Sequence, residues 1–284
     1  MDIQDRIAVI TGGGSGIGEA LAKAFAAAGA RHVVVVDLNE SEAGRVAAEI
    51  EEGADGCSAT ARRIDVADEQ EMTALVDSIE DEIGPIDVFV SNAGYVTVAG
   101  LEDSNDNIQK MWEVHVLSHV YAARAVIPSM AARGQGYLLN TASAAGLLSQ
   151  IGSMSYTITK HAAVALAEWL AITHHHQGIR VSVLCPQAVR TNIVTNSPDA
   201  KLASGSLDDF GVASVDGIVE SSEVARLCLE AMKEERFHVL PHPEVADYTQ
   251  MKAADPDRWL GAMRKFQGRL YGDNPLPGDE IISR

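Results

Sequence analysis

The chain has 284 residues, and its 40 Asp and Glu against 22 Lys and Arg give a formal net charge of −18. So acidic a surface repels phosphate backbones and anionic lipid, which argues against nucleic acid or a membrane surface as the main partner. No apolar run approaches the ~20 residues that span a bilayer. Met1–Asp5 lacks a secretory pattern, and Cys57, Cys185 and Cys228 are isolated, so a reduced, cytoplasmic compartment is expected.

Ile7–Thr11 is a short, nearly continuous apolar run, the pattern of a strand covered on both faces. It leads into Gly12-Gly13-Gly14-Ser15-Gly16-Ile17-Gly18 and then into a predicted helix over Ile17–Ala28, whose stripe is Ala20, Leu21, Ala24, Phe25 and Ala28. Glycine at 12, 16 and 18 permits a tight turn and lets backbone N–H groups approach a pyrophosphate at the helix N-terminus. A second strand, His32–Asp37, ends on a carboxylate about 20 residues past the glycines. Asp37 there suits hydrogen bonds to ribose hydroxyls and repels a 2′-phosphate. Leu38 and Ser15 supply no cation to offset that repulsion, so NAD is the expected cofactor.

Further along, helices are predicted over Ser41–Glu52 (its acidic residues a solvated face), Asp68–Ile83, Asn105–Arg133, Ser155–Gln177 and Ser221–Glu234. Strands are predicted at Ser58–Ile64, Ile86–Ser91, Tyr137–Thr141, Ile179–Cys185 and Phe237–Leu240. This alternation implies an α/β, doubly wound, seven-stranded, mainly parallel sheet with helices on both faces, built as one domain over 1–284. Residues 191–219 break the rhythm and read as a substrate loop or lid. Residues 242–284, with Trp259, Phe266, Tyr271, Pro275 and Pro277, read as an extension packed on the body or on a neighbouring subunit.

Tyr156 and Lys160 stand four apart in a helical pattern and so share one face. A tyrosine ionises near pH 10, and a nearby ammonium together with an oxidised nicotinamide would lower that value toward working conditions. Ser143, ending a buried strand, can hydrogen-bond a substrate oxygen while Tyr156 takes the proton of an alcohol whose carbon gives hydride to NAD+. Leu147, Leu148, Ile151, Met154, Ile193 and Val194 flank these residues, so apolar alcohols (steroid, terpenoid or aryl-alkyl) fit better than sugars. His115 and His119 have the i,i+4 spacing of zinc ligands but lack a third ligand, and no metal is expected. His174-His175-His176 ends a helix and reads as solvated.

Taken in order, Thr11–Gly18, Asp65-Val66, Ser91-Asn92-Ala93-Gly94, Ser143 after Asn140-Thr141-Ala142, and Tyr156-Thr157-Ile158-Thr159-Lys160 resemble the short-chain dehydrogenase/reductase family, from about Arg6 to His242. The resemblance implies a Rossmann-like fold of the single-domain branch and an NAD-dependent oxidoreductase of secondary alcohols or ketones. It assigns catalysis to Ser143, Tyr156 and Lys160. It assigns cofactor contacts to Gly12, Ser15, Gly16, Ile17, Gly18, Asp37, Asp65, Val66, Asn92, Ala93, Gly94, Tyr156, Lys160, Pro186, Val189 and Thr191. Asp65 and Val66 would meet adenine, Asn92 would lie by the ribose and help hold the central strands, and Val189 and Thr191 would meet the carboxamide.

Two positions depart from the family pattern. His115 stands where the family places an Asn of its proton relay, and imidazole either substitutes for it or perturbs it. Gln187 follows Pro186 where glycine is usual, which makes that turn less flexible. The resemblance also implies a homo-oligomer, tetramer ahead of dimer. Surplus apolar residues on the two long helices (Trp112, Val116, Val120, Ala163, Ala167 and Leu170) agree with such an assembly. A non-catalytic NAD-binding regulator is opposed by intact Ser143, Tyr156 and Lys160. A related lyase of the halohydrin dehalogenase type is opposed by Gly12, Gly16, Gly18 and Lys160.

Overall fold

The computed structural model describes residues 1–54, 56–191, 193, 211–275 and 279. In chain order, β1 (Ile7–Thr11), α1 (Gly16–Ala27), β2 (His32–Asp37), α2 (Glu40–Gly53), β3 (Ser58–Arg63), α3 (Glu69–Glu82) and β4 (Val88–Ser91) form the first half. There follow α4 (Asn105–Trp112) and α5 (Ser118–Ala132), joined by a π-turn at Glu113–Leu117, then β5 (Gly136–Thr141), α6 (Met154–His174) and β6 (Ile179–Leu184). A two-residue ribbon pairs β7 (Val189–Arg190) with β8 (Val219–Glu220), and α7 (Ser221–Glu234) leads to β9 (His238–Val239).

The main sheet has seven strands in the order β3-β2-β1-β4-β5-β6-β9, and every pairing in it is parallel. Because strand side chains alternate, Ala8 and Ile10 of β1 enter one core layer while Ile7 and Val9 enter the other. The first layer is closed by Leu21 and Phe25 of α1, Val46 and Ile50 of α2, and Val224 and Cys228 of α7. The second is closed by Met72 and Ile79 of α3, Ala122 and Val126 of α5, and Ala163 and Ala167 of α6. The strand order reverses between β1 and β4, so the carboxyl ends of these two strands open a crevice, where doubly wound sheets bind ligands.

Two elements depart from the expectation. Beyond Pro243 the chain forms two helices, α8 (Glu244–Ala254) and α9 (Pro256–Tyr271). Phe237–Leu240 contributes only two residues to the sheet edge. Of the expected lid, 192 and 194–210 lie outside the described residues, as does Val194 of the expected apolar pocket. Among the described residues no helix is long and apolar enough to cross a membrane.

Of the six residues taken as a surplus apolar patch, Val116, Ala163, Ala167 and Leu170 are buried within this chain. Ala163, Ala167 and Leu170 fill the layer between α5, α6 and the sheet, which a parallel sheet requires on both faces. Of the six, Trp112 is exposed at 36% and Val120 is half-buried, and the further exposed apolar residues on these helices are Ile158 at 50%, Trp169 at 56% and Ile172 at 80%.

Candidate active site

The loop from Gly12 to Ser15 turns out of β1 and enters α1. Gly12 has φ +63° and Gly16 φ +57°, the left-handed region that side chains with a Cβ avoid. A Cβ on Gly18 would stand 2.1 Å from the Gly12 carbonyl oxygen, so the helix can lie this close to the loop only without one. Asn92 stitches the crevice together, its amide donating to the carbonyls of Thr11 (3.1 Å) and Gly12 (3.3 Å) and its oxygen accepting from the Thr141 hydroxyl (3.1 Å). Thr11 Oγ1 accepts from the N–H groups of Asn92 and Ala93. Ser15 is the N-cap residue of α1, in extended backbone, and Ile17 packs against the core.

The Asp37 carboxylate accepts from the N–H groups of Gly14 (3.0 Å) and Asn39 (2.9 Å) and is thereby held beside the glycine loop. Sequence reasoning missed Arg45. Its guanidinium reaches the Gly14 carbonyl at 3.1 Å and is held by Glu19, Glu42 and Glu49. Those hydrogen bonds to carboxylates raise its pKa. The acidic residues of α2 therefore do more than face solvent, since Glu42 and Glu49 fix Arg45 next to the loop. Asp65 is exposed, while Val66 is buried in the second core layer. Val189 is buried in β7, and Thr191 lies against Gly16, where an added Cβ would come within 3.1 Å of its side chain. A cleft of about 580 Å³ lined by Gly16, Ala20, Arg190 and Thr191 borders this loop.

Ser143, Tyr156 and Lys160 converge at the carboxyl end of β5. Ser143 Oγ donates to the Pro186 carbonyl at 3.3 Å and accepts from the Ala145 N–H at 3.1 Å. The Lys160 ammonium donates to the Thr141 carbonyl at 3.1 Å and lies 5.6 Å from the centre of the Tyr156 ring. Burial lowers the Lys160 pKa to about 8. In the protein alone, burial raises the Tyr156 pKa, outweighing a hydrogen bond with Ser143 that pulls it down. Desolvation of the phenolate is the stronger effect in the protein alone.

His115, at the relay position, has protein partners on both ring nitrogens. It is fully buried on the π-turn, and its Nε2 accepts the Tyr95 N–H at 3.1 Å. Its proton therefore sits on Nδ1, which donates to Thr159 Oγ1 at 3.0 Å, and that hydroxyl in turn donates to the Ser155 carbonyl at 2.9 Å. Both ring nitrogens are thus hydrogen-bonded to protein atoms. Burial and the Lys160 charge hold its pKa well below the usual histidine range. The ring meets that of Tyr156 edge-on, centroids 5.6 Å apart. His115 thus braces the face of α6 that carries Tyr156, and Gly94 fits beside it, where an added Cβ would come within 3.1 Å of His115 Nε2. One turn on, His119 is equally buried, and neither of its ring nitrogens has a partner among the described residues.

The glycine cradle, Asp37 and the Tyr156–Lys160 pair fit a nicotinamide dinucleotide laid along the crevice, with Gly12, Gly16 and Gly18 leaving room for its phosphates. The profile of the family described as short chain dehydrogenase matches residues 6–202. The chain belongs to the short-chain dehydrogenase/reductase family. It is an oxidoreductase that moves hydride between a nicotinamide dinucleotide and a secondary alcohol or ketone. It is 36% identical to 1-deoxy-11-beta-hydroxypentalenate dehydrogenase of Streptomyces exfoliatus, over 86% of each chain. It is 34% identical to 7alpha-hydroxysteroid dehydrogenase of Escherichia coli, over 67% of this chain and 73% of that one. A short-chain dehydrogenase/reductase from Burkholderia phymatum solved in complex with NAD superimposes with a TM-score of 0.81 at 28% identity, over 90% of this chain and 96% of the other.

Proposed function

We propose that the protein is an NAD-dependent dehydrogenase of apolar secondary alcohols, able to run in reverse as a ketone reductase. The observation that carries this reading is the convergence of Ser143, Tyr156 and Lys160 at the end of β5, beside the glycine loop at the end of β1. Ser143 orients the alcohol oxygen by a hydrogen bond, and Tyr156 takes its proton as phenolate. Lys160, whose ammonium lies 5.6 Å from the centre of the Tyr156 ring, favours that phenolate by its charge. Bound at the crevice, the dinucleotide supplies the hydride acceptor and a positive ring. The Tyr156 pKa then falls from its raised value in the protein alone, because opposite charge favours the ionised form.

NAD is favoured over NADP by charge. A carbon added at Gly14 would touch Glu42 Cβ at 2.9 Å and Asp37 Oδ2 at 3.0 Å, so two acidic residues crowd this side of the loop. The nearest cation, Arg45, is already held by three carboxylates. A 2′-phosphate at this end meets net negative charge. The apolar segment Leu147, Leu148 and Ile151, and relatives named for hydroxysteroid and pentalenate substrates, support an apolar carbon skeleton. We place the enzyme in the cytoplasm, as one domain with a C-terminal extension. It assembles through the exposed Trp112, Ile158, Trp169 and Ile172 faces as a homo-oligomer, tetramer ahead of dimer.

The test is a panel of secondary alcohols (2-propanol, cyclohexanol, 1-phenylethanol and a 7α-hydroxysteroid) with NAD+ and with NADP+, followed by absorbance of the reduced nicotinamide. Turnover with NAD+ on the larger members, falling about 10²–10⁴-fold in Tyr156→Phe while NAD+ still binds, is the expected result. Near-normal turnover by Tyr156→Phe rejects the assigned acid–base residue.

A further inference from the structure

Gln187 sits directly after Pro186, and the two residues face opposite partners. On one side the Pro186 carbonyl accepts from Ser143 Oγ (3.3 Å) and from the Ala144 N–H (2.8 Å), so this turn fixes the catalytic serine. On the other, Gln187 Nε2 donates to Asp216 Oδ2 at 2.7 Å, and the Gln187 N–H donates to Nδ1 of buried His242 at 3.2 Å. The second oxygen of Asp216 accepts from the Tyr248 hydroxyl of α8 at 3.0 Å. Hydrogen bonds to an ionised carboxylate are about twice as strong as neutral ones, so Asp216 is a firm junction. An unbroken path therefore runs from α8 through Asp216, Gln187 and Pro186 to Ser143. Glycine at 187 would have no side chain to make it.

The extension reaches the substrate side a second time. Lys252 of α8 donates to the Leu147 carbonyl at 2.7 Å, and the Tyr271 hydroxyl would lie 2.8 Å from a Cβ on Gly152. Both contacts fall on the segment that follows Ser143 and carries Leu147, Leu148 and Ile151.

We propose that Gln187 is a positioning residue, which clamps α8 of the C-terminal extension against the Pro186 turn so that the extension forms a fixed wall of the substrate site. The inference rests on the alcohol dehydrogenase reading above. It specifies where substrate size is sensed: a large apolar alcohol meets α8, and a small one does not reach it. The departure at 187 and the extension beyond 242 are then one device.

The experiment compares the unaltered protein with Gln187→Gly and with Tyr248→Phe, which cuts the clamp at its far end without changing the turn. Amide hydrogen exchange over residues 244–254, measured without cofactor or substrate, is expected to quicken about fivefold or more in both variants. With NAD+ saturating, KM for 1-phenylethanol is expected to rise about fivefold in both variants, while in Tyr248→Phe kcat is nearly kept and KM for 2-propanol and the Kd for NAD+ stay put. Unchanged exchange over 244–254 in both variants overturns the clamp. Equal KM shifts for the two alcohols in Tyr248→Phe, or none, overturn the substrate wall. A panel in which the unaltered protein oxidises no secondary alcohol rejects the proposed function, and the wall with it, while exchange alone still decides the clamp.

Discussion

The Lys160 ammonium on α6 donates to the Thr141 carbonyl at the end of β5 across 3.1 Å, and the Thr141 hydroxyl donates to Asn92 at the end of β4. The helix that carries the proposed acid–base pair is thereby pinned to β5 and to β4, one of the two strands that frame the crevice. Yet the charge so placed is buried, at 3% exposure, with a pKa lowered from 10.5 to about 8.

That depression has a sign for stability. Below pH 8 Lys160 is protonated in both folded and unfolded states, and the full cost of burying the charge is present. Between pH 8 and 10.5 the unfolded chain holds the proton and the folded one does not, so this cost is relieved as pH rises. Lys160→Met is therefore expected to stabilise the protein at pH 7 by about 1–3 kcal/mol. The same change should lower kcat by about 10²-fold or more. Urea denaturation beside steady-state kinetics checks both, and a variant less stable than the parent would contradict the burial argument.

The proposed preference for NAD turns on Asp37. NAD+ is expected to exceed NADP+ in kcat/KM by at least about tenfold, and Asp37→Ala to narrow the ratio about tenfold by removing the like charge. Because Asp37 also holds the Gly14 N–H, some NAD+ affinity is lost in that variant as well. Initial rates with both cofactors decide it, and equal use by the unaltered enzyme contradicts the assignment.

Acid should unfold this protein early. Burial, followed by the Lys160 charge, holds His115 well below 6.5 and His119 at about 3. As pH falls through 6.5 the unfolded chain takes up protons that these rings refuse in the folded state. Stability should then fall by up to about 1.4 kcal/mol per pH unit per histidine, toward pH 3 for His119. Among the described residues His119 has no partner for either nitrogen, so His119→Leu is expected to cost little at pH 7.5 and to flatten the acid limb. Unfolding free energies at pH 7.5, 6.0 and 5.0 measure the slope, and an unchanged slope in the variant would refute the assignment to His119.

Assembly is tested at Trp169, which is 56% exposed on α6 near Ile172 at 80%. A charge there opposes burial against a second copy, so Trp169→Glu should shift the mass by light scattering toward the monomer with secondary structure intact. A monomeric mass near 30.2 kDa for the unaltered protein would show that these faces need no partner.

Local pattern carried the sheet, because a strand buried on both faces must be apolar at every position, as Val33 to Val36 are, whatever surrounds it. The same holds for the cofactor turn, where Gly12 and Gly18 answer backbone constraints within a few residues. Helix α9 was legible in principle, with Pro256 at its start and Asp255 as N-cap accepting the Arg258 N–H. It escaped notice because none of its residues is buried, and Leu260 and Leu270 remain exposed. A helix that covers no core has no burial stripe by which to be recognised.

The sequence by itself determined the doubly wound α/β class and the glycine loop, which follow from periodicity and short spacing, while the assignment of Ser143, Tyr156 and Lys160 to catalysis came from the family resemblance. Only the tertiary structure showed which partners the two departures meet. His115 meets Tyr95 and Thr159 across 20 and 44 residues, and Gln187 meets Asp216 and His242 across 29 and 55. Periodicity reports which face of an element is buried, while a hydrogen bond between elements depends on where folding brings two distant backbones, so these partners had no signature in the chain.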